Sequence, residues 1–304
     1  MEYLLSTDGL TKRFKRQTAV DHVSLHVKRG AIYGFIGRNG AGKTTFLKMI
    51  SGLSTPTSGE ISLFGYSGVE RKKVLSRIGV LIEAPGLYPD MSAYDNLKLK
   101  CICVGINKNG YIESILKTVG LDMVGQKKVK NFSVGMKQRL GIGMALVGEP
   151  DLLALDEPIN GLDPQGIAEV RDTILRLNHE RNITIIISSH ILEELSKIAT
   201  NYGIIHEGRL IKDLTSEELA EECSKRIEIK LDHPELALPV LDRLGFTKYR
   251  TVDQNTIQIF ERLDESGAIN MELAKQNIIV QSITVAGENI EDYFLNLTGG
   301  AHHA

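Results

Sequence analysis

A glycine-rich segment at residues 37–44 has residue types and spacing suited to holding a polyphosphate. It reads Gly-Arg-Asn-Gly-Ala-Gly-Lys-Thr and fits the pattern G-x-x-x-x-G-K-[ST]. Glycines let the backbone wrap around phosphate oxygens, so that successive N–H groups and a helix N-terminus point at them. Lys43 can contact the β- and γ-phosphates, and the Thr44 hydroxyl can ligate Mg²⁺. The residues predicted to bind the nucleotide here are Gly37, Arg38, Asn39, Gly40, Ala41, Gly42, Lys43, Thr44 and Thr45.

Two carboxylates, Asp156 and Glu157, follow directly after an apolar run at residues 152–155. In a doubly wound sheet the C-terminal ends of the strands line the ligand crevice, so we expect Asp156 to meet the Mg²⁺ bound by Thr44. Glu157 lies one residue further on and is expected to polarise an attacking water. The cation offsets the repulsion between the two carboxylates.

These groups can act together only if a sheet brings them to one edge. The first two thirds of the chain alternates short apolar runs with helical patterns, which predicts an α/β domain with a largely parallel, buried sheet. The predicted strands are 31–36, 78–82, 152–155 and 183–188. The predicted helices between them are 44–50, which follows the glycine-rich segment, and 164–181, which is a crossover helix.

The pattern changes near residue 215, after which a smaller α+β domain is expected. Its predicted elements are strand 226–231, helix 235–244, strands 246–251 and 256–260, helix 264–276, strand 278–285 and a last helix 290–297. The β-α-β-β-α-β order of the first six is that of ferredoxin-like domains. The predicted domain boundaries are 1–215 and 222–297, and the tail 298–304 is expected to be disordered.

Three further segments resemble motifs of the ATP-binding-cassette (ABC) ATPases. Residues 131–140, Asn-Phe-Ser-Val-Gly-Met-Lys-Gln-Arg-Leu, are similar to the family's signature motif. Residues 158–164 resemble the D-loop, and Ser-Ser-His at 188–190 resembles the segment with the switch histidine. Together with the glycine-rich segment and the carboxylates, these motifs occur in the family's order. The resemblance covers about residues 1–215 and implies a P-loop ABC nucleotide-binding domain with a helical subdomain at about 84–145.

The resemblance implies a head-to-tail dimer in which each ATP lies between the P-loop of one copy and the signature segment of the other. Ser133, Gly135 and Met136 of the signature would then bind the nucleotide across the dimer, because a helix N-terminus attracts an anion. The resemblance also implies that Phe14 stacks on adenine and that His190 senses the γ-phosphate and orients the water. The catalytic residues it implies are Glu157, His190 and Lys43.

The sequence departs from the family's pattern at two motifs. Glu83 stands in a loop where the family usually has Gln, and Val134 and Met136 replace Gly and Gln of the signature. Glu83 adds a negative charge near the metal, where it can ligate Mg²⁺ or slow the cycle, and the sequence leaves both open. The implied metal ligands are Thr44, Asp156 and Glu83. A loop with Glu at this position resembles that of the bacitracin-resistance and lantibiotic-immunity exporters, whose ATPase chains carry a C-terminal extension of similar size.

Composition and charge narrow the possible partners. Lys and Arg number 36 against 38 Asp and Glu among 304 residues, so no global field indicates nucleic acid or an anionic membrane. The apolar runs fall short of the roughly 20 residues that span a bilayer, so a separate transmembrane permease is expected. The first residues lack a basic-then-apolar signal segment, which favours the cytoplasm and the inner face of the cell membrane. The loop 83–96, which includes Leu87 and Tyr88, is the predicted docking site for the permease.

We therefore expect the ATP-binding and hydrolysing subunit, with ATP and Mg²⁺ as cofactors, of an exporter for an antimicrobial peptide or drug. The subunit is expected to act as a homodimer or a pair of ABC subunits. Two alternatives stay open: a regulatory or sensory ABC ATPase with slow turnover, which Glu83 and the altered signature favour, and a soluble non-transport ABC ATPase. For the C-terminal domain we favour pairing with its copy through an edge strand and the last helix, although ligand binding or packing within one chain would fit as well.

Overall fold

The computed structural model describes residues 3–15, 17–287 and 289–299. The chain forms two compact units, Met1–Ser216 and Glu217–Ala304. Of the predicted disordered tail, residues 300–304 lie outside the described residues, whereas Thr298 is buried and its hydroxyl donates to Phe294 O at 2.9 Å. In the part of the chain that the structure describes, none of the helices is both long and apolar enough to cross a membrane.

The described residues of the first unit form nine strands and six helices, and short 3-10 turns lie between some of them. Its strands are β1 (Tyr3–Phe14), β2 (Gln17–Lys28), β3 (Ile32–Ile36), β4 (Ser58–Leu63), β5 (Ile78–Leu81), β6 (Leu152–Asp156), β7 (Thr184–Ser189), β8 (Asn201–His206) and β9 (Arg209–Thr215). Its helices are α1 (Lys43–Ile50), α2 (Ala93–Val104), α3 (Tyr111–Thr118), α4 (Val134–Leu146), α5 (Pro164–Arg181) and α6 (Leu192–Ser196).

A six-stranded sheet in the order β5-β6-β7-β3-β8-β9 forms the centre of this unit. All its strands are parallel except β9, which confirms the predicted α/β fold with a largely parallel sheet. Every residue of β3, β6 and β7 is buried, because helices and further sheet cover both faces. The register places Ile36 beside Ser189 and Asp156 beside Ser188, so the C-terminal ends of these three strands meet at one edge.

A second, antiparallel sheet of three strands, in the order β2-β1-β4, was not among the predicted elements. Its strands alternate buried apolar and exposed polar residues; in β2, for example, Val23, Leu25 and Val27 are buried while Ser24 and His26 are exposed. This period of two is typical of a sheet with one face in the core. The prediction concentrated on continuous apolar runs and so missed it.

The helices α2, α3 and α4 lie within the segment 84–145, where the resemblance implied a helical subdomain. Ser92 begins α2 with a capping box to Asp95, which satisfies backbone N–H groups of the first turn. The Ser133 side chain caps α4 by accepting from Met136 N at 3.2 Å. Gly141 in α4 lies against Pro85, and a Cβ at this position would come within 2.7 Å of the proline ring. Only glycine therefore allows this close packing of α4.

The second unit is a four-stranded antiparallel sheet with helices against one face. Its elements are α7 (Ser216–Cys223), β10 (Arg226–Leu231), α8 (Pro234–Arg243), β11 (Tyr249–Thr251), β12 (Thr256–Ile259), α9 (Ser266–Lys275), β13 (Val280–Ala286) and α10 (Ile290–Leu297). The order β11-β12-β10-β13 confirms the ferredoxin-like topology. Ile227 and Ile229 of β10 pack with Leu241 of α8 and Leu273 of α9 in the core of this unit.

Strand β11 begins three residues later than the predicted strand 246–251, because the preceding helix ends in a Schellman motif. Gly245 adopts φ 81°, and its N–H donates to Asp242 O at 3.0 Å. The N–H of Phe246 donates to Leu241 O at 3.0 Å, and its ring is buried in the core. These two residues therefore terminate the helix, and the strand can form only after them.

Candidate nucleotide-binding and catalytic site

The glycine-rich loop runs from the end of β3 to the first residue of α1, as the strand-loop-helix context of this motif requires. Gly37 N donates to Ser189 O at 3.3 Å, which ties the loop to the end of β7. Gly42 has φ 109°, and a Cβ there would lie 2.3 Å from Ala19 O. The backbone at this point is therefore accessible only to glycine, and the loop can turn directly into the helix N-terminus.

The Lys43 side chain is held inside the loop and is only 5% exposed. Its Nζ donates to Gly37 O at 2.6 Å and to Arg38 O at 3.2 Å. The same Nζ lies 3.1 Å from Glu157 Oε1. These contacts place a positive charge where the backbone of the loop would surround a polyphosphate.

Thr44, Asp156 and Ser188 form a hydrogen-bonded chain across the strand ends. Thr44 Oγ1 donates to Asp156 Oδ2 at 2.7 Å, and Ser188 Oγ donates to Asp156 Oδ1 at 2.5 Å. The expected approach of Thr44 and Asp156 is therefore present in the structure. Among the described residues, no cluster of three or more His, Cys, Asp or Glu side chains could hold a metal. The residues fit Mg²⁺, which is usually bound by one or two protein oxygens together with substrate phosphates and water.

The Glu157 carboxylate contacts both Lys43 and His190. Its Oε2 lies 2.8 Å from His190 Nδ1, on the opposite side of the carboxylate from the lysine contact. Its backbone adopts φ 48° and is held in place because its N–H contacts both Ser188 Oγ at 3.0 Å and Ser188 O at 3.1 Å. Although Glu157 Oε1 is within ion-pair distance of Lys43, it is buried and accepts no hydrogen bond. The partner of this oxygen is therefore the charge of Lys43.

A cleft of about 340 Å³ opens beside the loop, within the range of small-ligand sites. Its lining residues are Phe14, Gln17, Ala19, Asn39, Gly40, Gly42, Lys43, Thr44, Thr45 and Glu157. The Phe14 ring is 51% exposed, and Lys12 Nζ lies 5.0 Å from its centroid. Two larger clefts, of about 410 and 510 Å³, lie around Tyr111 and contain none of the motif residues. Because the smaller cleft is lined by the motif residues, it is the candidate nucleotide site.

The signature residues lie elsewhere in the same chain. Ser133 and Val134 are exposed at the N-terminal end of α4, while Gly135 is buried. None of Ser133, Gly135 and Met136 lines the cleft that contains the loop. One chain therefore presents the loop and the signature as two separate surfaces.

Glu83 forms an ion pair with Lys48, whereas the other two candidate metal ligands, Thr44 and Asp156, contact each other. Its carboxylate lies 2.5 Å from Lys48 Nζ and its side chain is 67% exposed. Lys48 lies one turn after Thr44 in α1, so Glu83 contacts the same helix as the one that carries Thr44, but not Thr44 itself. The backbone of Glu83 adopts φ 63°, a left-handed conformation that non-glycine residues seldom adopt.

Sequence reasoning missed three residues of this site: Ser188, which bonds both carboxylate residues, and Gln17 and Ala19, which line the cleft. A signal for Ser188 was present, because it is a polar residue at the end of the apolar strand Thr-Ile-Ile-Ile-Ser-Ser. No comparable signal marks Gln17 or Ala19, since they lie in the strand β2 that was not predicted.

The fold and the site define a P-loop ATPase domain, and comparisons with known proteins specify it further. Residues 20–160 match the ABC transporter family. The chain is 43% identical over 302 residues to the bacitracin transport ATP-binding protein BcrA of Bacillus licheniformis, which covers 99% of both proteins. It is 42% identical over 221 residues to the lantibiotic transport ATP-binding protein SrtF of Streptococcus pyogenes, which covers 72% of this chain and 95% of SrtF.

Among solved structures, an ATP-binding cassette in a dimeric post-hydrolysis state with ADP and Pi has a similar fold, with a TM-score of 0.63 and 23% identity. The similarity covers 70% of this chain and 98% of that one. The chain therefore belongs to the ATP-binding subunits of ABC transporters and is an ATP-hydrolysing enzyme of that family. The resemblance inferred from the motifs is confirmed.

Proposed function

We propose that this chain is the ATPase subunit of an exporter that moves a peptide antibiotic out of the cell through a separate membrane permease. The similarity over nearly the full length to a bacitracin transport ATP-binding protein supports the class of substrate. The observation that carries the catalytic part is the Glu157 carboxylate, whose Oε1 lies 3.1 Å from Lys43 Nζ and whose Oε2 lies 2.8 Å from His190 Nδ1. In this proposal the subunit works at the inner face of the cell membrane and contacts the membrane only through the permease.

The site would bind ATP with adenine on the exposed Phe14 ring and the phosphates in the loop 37–44. Stacking on an aromatic ring stabilises a base by about 1–3 kcal/mol and does not depend strongly on its identity. The phosphates would bring negative charge to Lys43, which contacts Glu157 Oε1 at 3.1 Å. Competition for the lysine would release Glu157 to act on water.

Glu157 would accept a proton from the attacking water through Oε1, while His190 would keep the carboxylate oriented through its 2.8 Å contact with Oε2. Ser188 fixes the backbone of Glu157 and one oxygen of Asp156, so that both side chains keep their positions during the reaction. Thr44 and the other Asp156 oxygen would hold Mg²⁺, which when bound supplies charge to stabilise the phosphates. Glu83 would join these ligands only after leaving Lys48.

A second copy of the chain would complete the site. Ser133 is exposed at the N-terminal end of α4, and none of Ser133, Gly135 and Met136 lines the cleft of its own chain, so this helix end can meet the nucleotide of another copy. The N-terminal end of α4 would add partial positive charge there. ATP would then hold two copies together, and its hydrolysis would let them separate.

The permease would dock on the loop around Tyr88. The Tyr88 side chain is 53% exposed, while its backbone is held on both sides by the fully buried Asn96. Asn96 Oδ1 accepts from Tyr88 N at 2.8 Å, and Asn96 Nδ2 donates to Tyr88 O at 3.2 Å. A fixed backbone with a free aromatic ring suits a contact with another protein.

Antibiotic susceptibility of a sensitive bacterium tests the proposed export. We expect the chain expressed with its permease to raise the inhibitory concentration of bacitracin or of a lantibiotic several-fold. The same pair with Glu157→Gln should give no protection, and Glu149→Gln, a substitution in an exposed surface ion pair, should protect like the unchanged chain. An active ATPase that protects against neither antibiotic would contradict the substrate class.

The mass of the Glu157→Gln chain in solution tests the dimer. With saturating Mg·ATP this variant should become dimeric, and Ser133→Glu should prevent the change because it brings negative charge to the phosphates. A chain that stays monomeric with Mg·ATP would contradict the shared site. Steady-state turnover separates the regulatory alternative, in which the unchanged chain would hydrolyse almost no ATP even with its permease.

A further inference from the structure

One edge strand of the sheet in the second unit, β13, lacks the features that usually prevent an edge strand from pairing with another chain. Strand β13 has β10 as its neighbour on one side, and the described residues provide no strand on the other. Its sequence, Val-Gln-Ser-Ile-Thr-Val-Ala, contains no charged residue and no proline. Natural edge strands commonly carry lysine or proline, or are very short, because their free N–H and C=O groups otherwise attract another strand.

The opposite edge of the same sheet is protected in these ways. Strand β11 has only three residues. Its central residue, Arg250, is charged and is committed to Gln258 at 3.1 Å and to Glu221 at 3.1 Å. The two edges therefore differ although they share one sheet, and only β13 is open to a further strand.

Apolar side chains are exposed along the β13 edge. Val285 is 57% exposed although it pairs with the buried Ile227, and Ile279, just before the strand, is 75% exposed. Met271 of α9, the helix that packs against β13, is 64% exposed. A register irregularity next to Ser282 interrupts the first part of the strand and leaves Ser282–Ala286 as a regular segment.

We propose that Ser282–Ala286 pairs antiparallel with the same segment of a second copy, forming one continuous sheet across two chains. A two-fold axis at Thr284 sets Ile283 opposite Val285 and Ser282 opposite Ala286, and the two Thr284 residues face each other. All these pairs are neutral, so identical strands meet without like-charge repulsion. The contact is isologous and closes at two chains.

The strand that pairs with β13 comes from a second copy of the chain, because two copies come together in the proposed ATP-dependent dimer. This inference rests on that dimer, which raises the local concentration of one β13 edge near the other. When two β13 edges are held in one assembly, their pairing is favoured even if the free edges attract each other only weakly. The sheet face opposite α8 and α9 is a poorer candidate, because Glu228 there already accepts from Arg226 at 2.9 Å and from Gln258 at 2.7 Å.

The dissociation constant of the Glu157→Gln chain with saturating Mg·ATP, determined from its mass across a range of concentrations, tests the pairing. Thr284→Lys and Thr284→Glu should each raise the dissociation constant of the dimer by about five- to tenfold, because like charges then face each other at the axis. An equal mixture of the two variants should recover the affinity. Thr251→Lys on β11 is the matched control and should change nothing, since Thr251 is also exposed in an edge strand.

Cross-linking tests the register in a Cys103→Ser, Cys223→Ser background that keeps only the buried Cys101. Oxidised Thr284→Cys should form a covalent dimer, because cysteines facing each other across an antiparallel pair are within disulfide reach. Thr251→Cys should not. An unchanged dissociation constant for Thr284→Lys would overturn the pairing. A Glu157→Gln chain that stays monomeric with Mg·ATP would instead contradict the proposed dimer, so the two failures are distinguishable.

Discussion

Both units hold charged side chains together on a sheet, but they do so in different places and with different consequences. In the first unit Lys43, Asp156 and Glu157 meet where parallel strands end, beside an open cleft. In the second unit Arg226, Glu228, Gln258 and Arg250 bond to one another across the sheet surface. In the first cluster the Glu157 carboxylate contacts Lys43 and His190 beside the cleft, whereas in the second Glu228 Oε1 accepts from both Arg226 and Gln258.

A cluster of charges on a sheet is therefore a candidate catalytic site only where a cleft lies open beside it. Burial alone raises the pKa of Glu228, but the hydrogen bonds from Arg226 and Gln258 outweigh it and hold the pKa below its usual value. Such a group stabilises the fold.

Replacing the carboxylate of the first cluster should give the largest effect. Glu157→Gln keeps the shape of the side chain but cannot accept a proton, so we expect kcat for ATP to fall by about 10²–10⁴-fold. The melting temperature should hardly change. Phosphate release measured beside Glu149→Gln, a surface control, checks this. Turnover within a few-fold of the unchanged chain would mean that another group acts on the water.

Removing the hydroxyl that supports the cluster should give the next largest effect. Ser188→Ala deletes the bond to Asp156 and one of the two contacts with Glu157 N, so we expect kcat to fall by about tenfold. The Mg²⁺ concentration needed for half-maximal rate should rise as well. Ser188→Thr should restore both values because it keeps the hydroxyl. A fall in stability with an unchanged Mg²⁺ requirement would make Ser188 merely structural.

The corresponding change in the second unit should alter stability and leave turnover intact. Glu228→Gln should lower the free energy of unfolding of this unit by about 1–2 kcal/mol near neutral pH, because hydrogen bonds to a charged group are lost. Since the pKa of Glu228 is lowered on folding, its contribution is present above the unfolded value of about 4.3 and is lost as the pH falls below it.

Urea unfolding at pH 7 and at pH 3 measures this difference. The difference in the free energy of unfolding between the unchanged chain and Glu228→Gln should be smaller at the lower pH. If this difference were equally large at pH 7 and pH 3, or if Glu228→Gln lost ATP hydrolysis at pH 7, the two clusters would not differ as expected.

Removing the second unit should have the smallest effect on chemistry. We propose that the domains predicted at 1–215 and 222–297 fold separately, and the two compact units support this. A chain that ends at Ser216 should keep the kcat of the full chain at saturating ATP, because the cleft and its contacts lie in the first unit. Phosphate release by this shortened chain is the measurement. A folded but inactive product would show that catalysis needs the second unit.

Much of the architecture follows from local sequence. The helix 164–181 was predicted at its observed bounds, because Asp163 caps it, Pro164 opens it and Asn182 ends it in a left-handed conformation. The ferredoxin-like order follows from alternating short patterns. The strands β1, β2 and β4 were missed because half-buried strands carry many polar residues, and their pairing depends on contacts far apart in the chain.

The class of chemistry follows from the sequence, because glycines, a lysine, a threonine and two carboxylates at this spacing form the pattern of a polyphosphate-binding loop with its metal ligands. Which atoms meet depends on the tertiary structure: Ser188 contacts both carboxylate residues, Glu157 contacts Lys43 and His190, and Glu83 contacts Lys48. Spacing along the chain fixes local backbone geometry. Contacts between strand ends depend on sheet order and register, which are set by packing of the whole core.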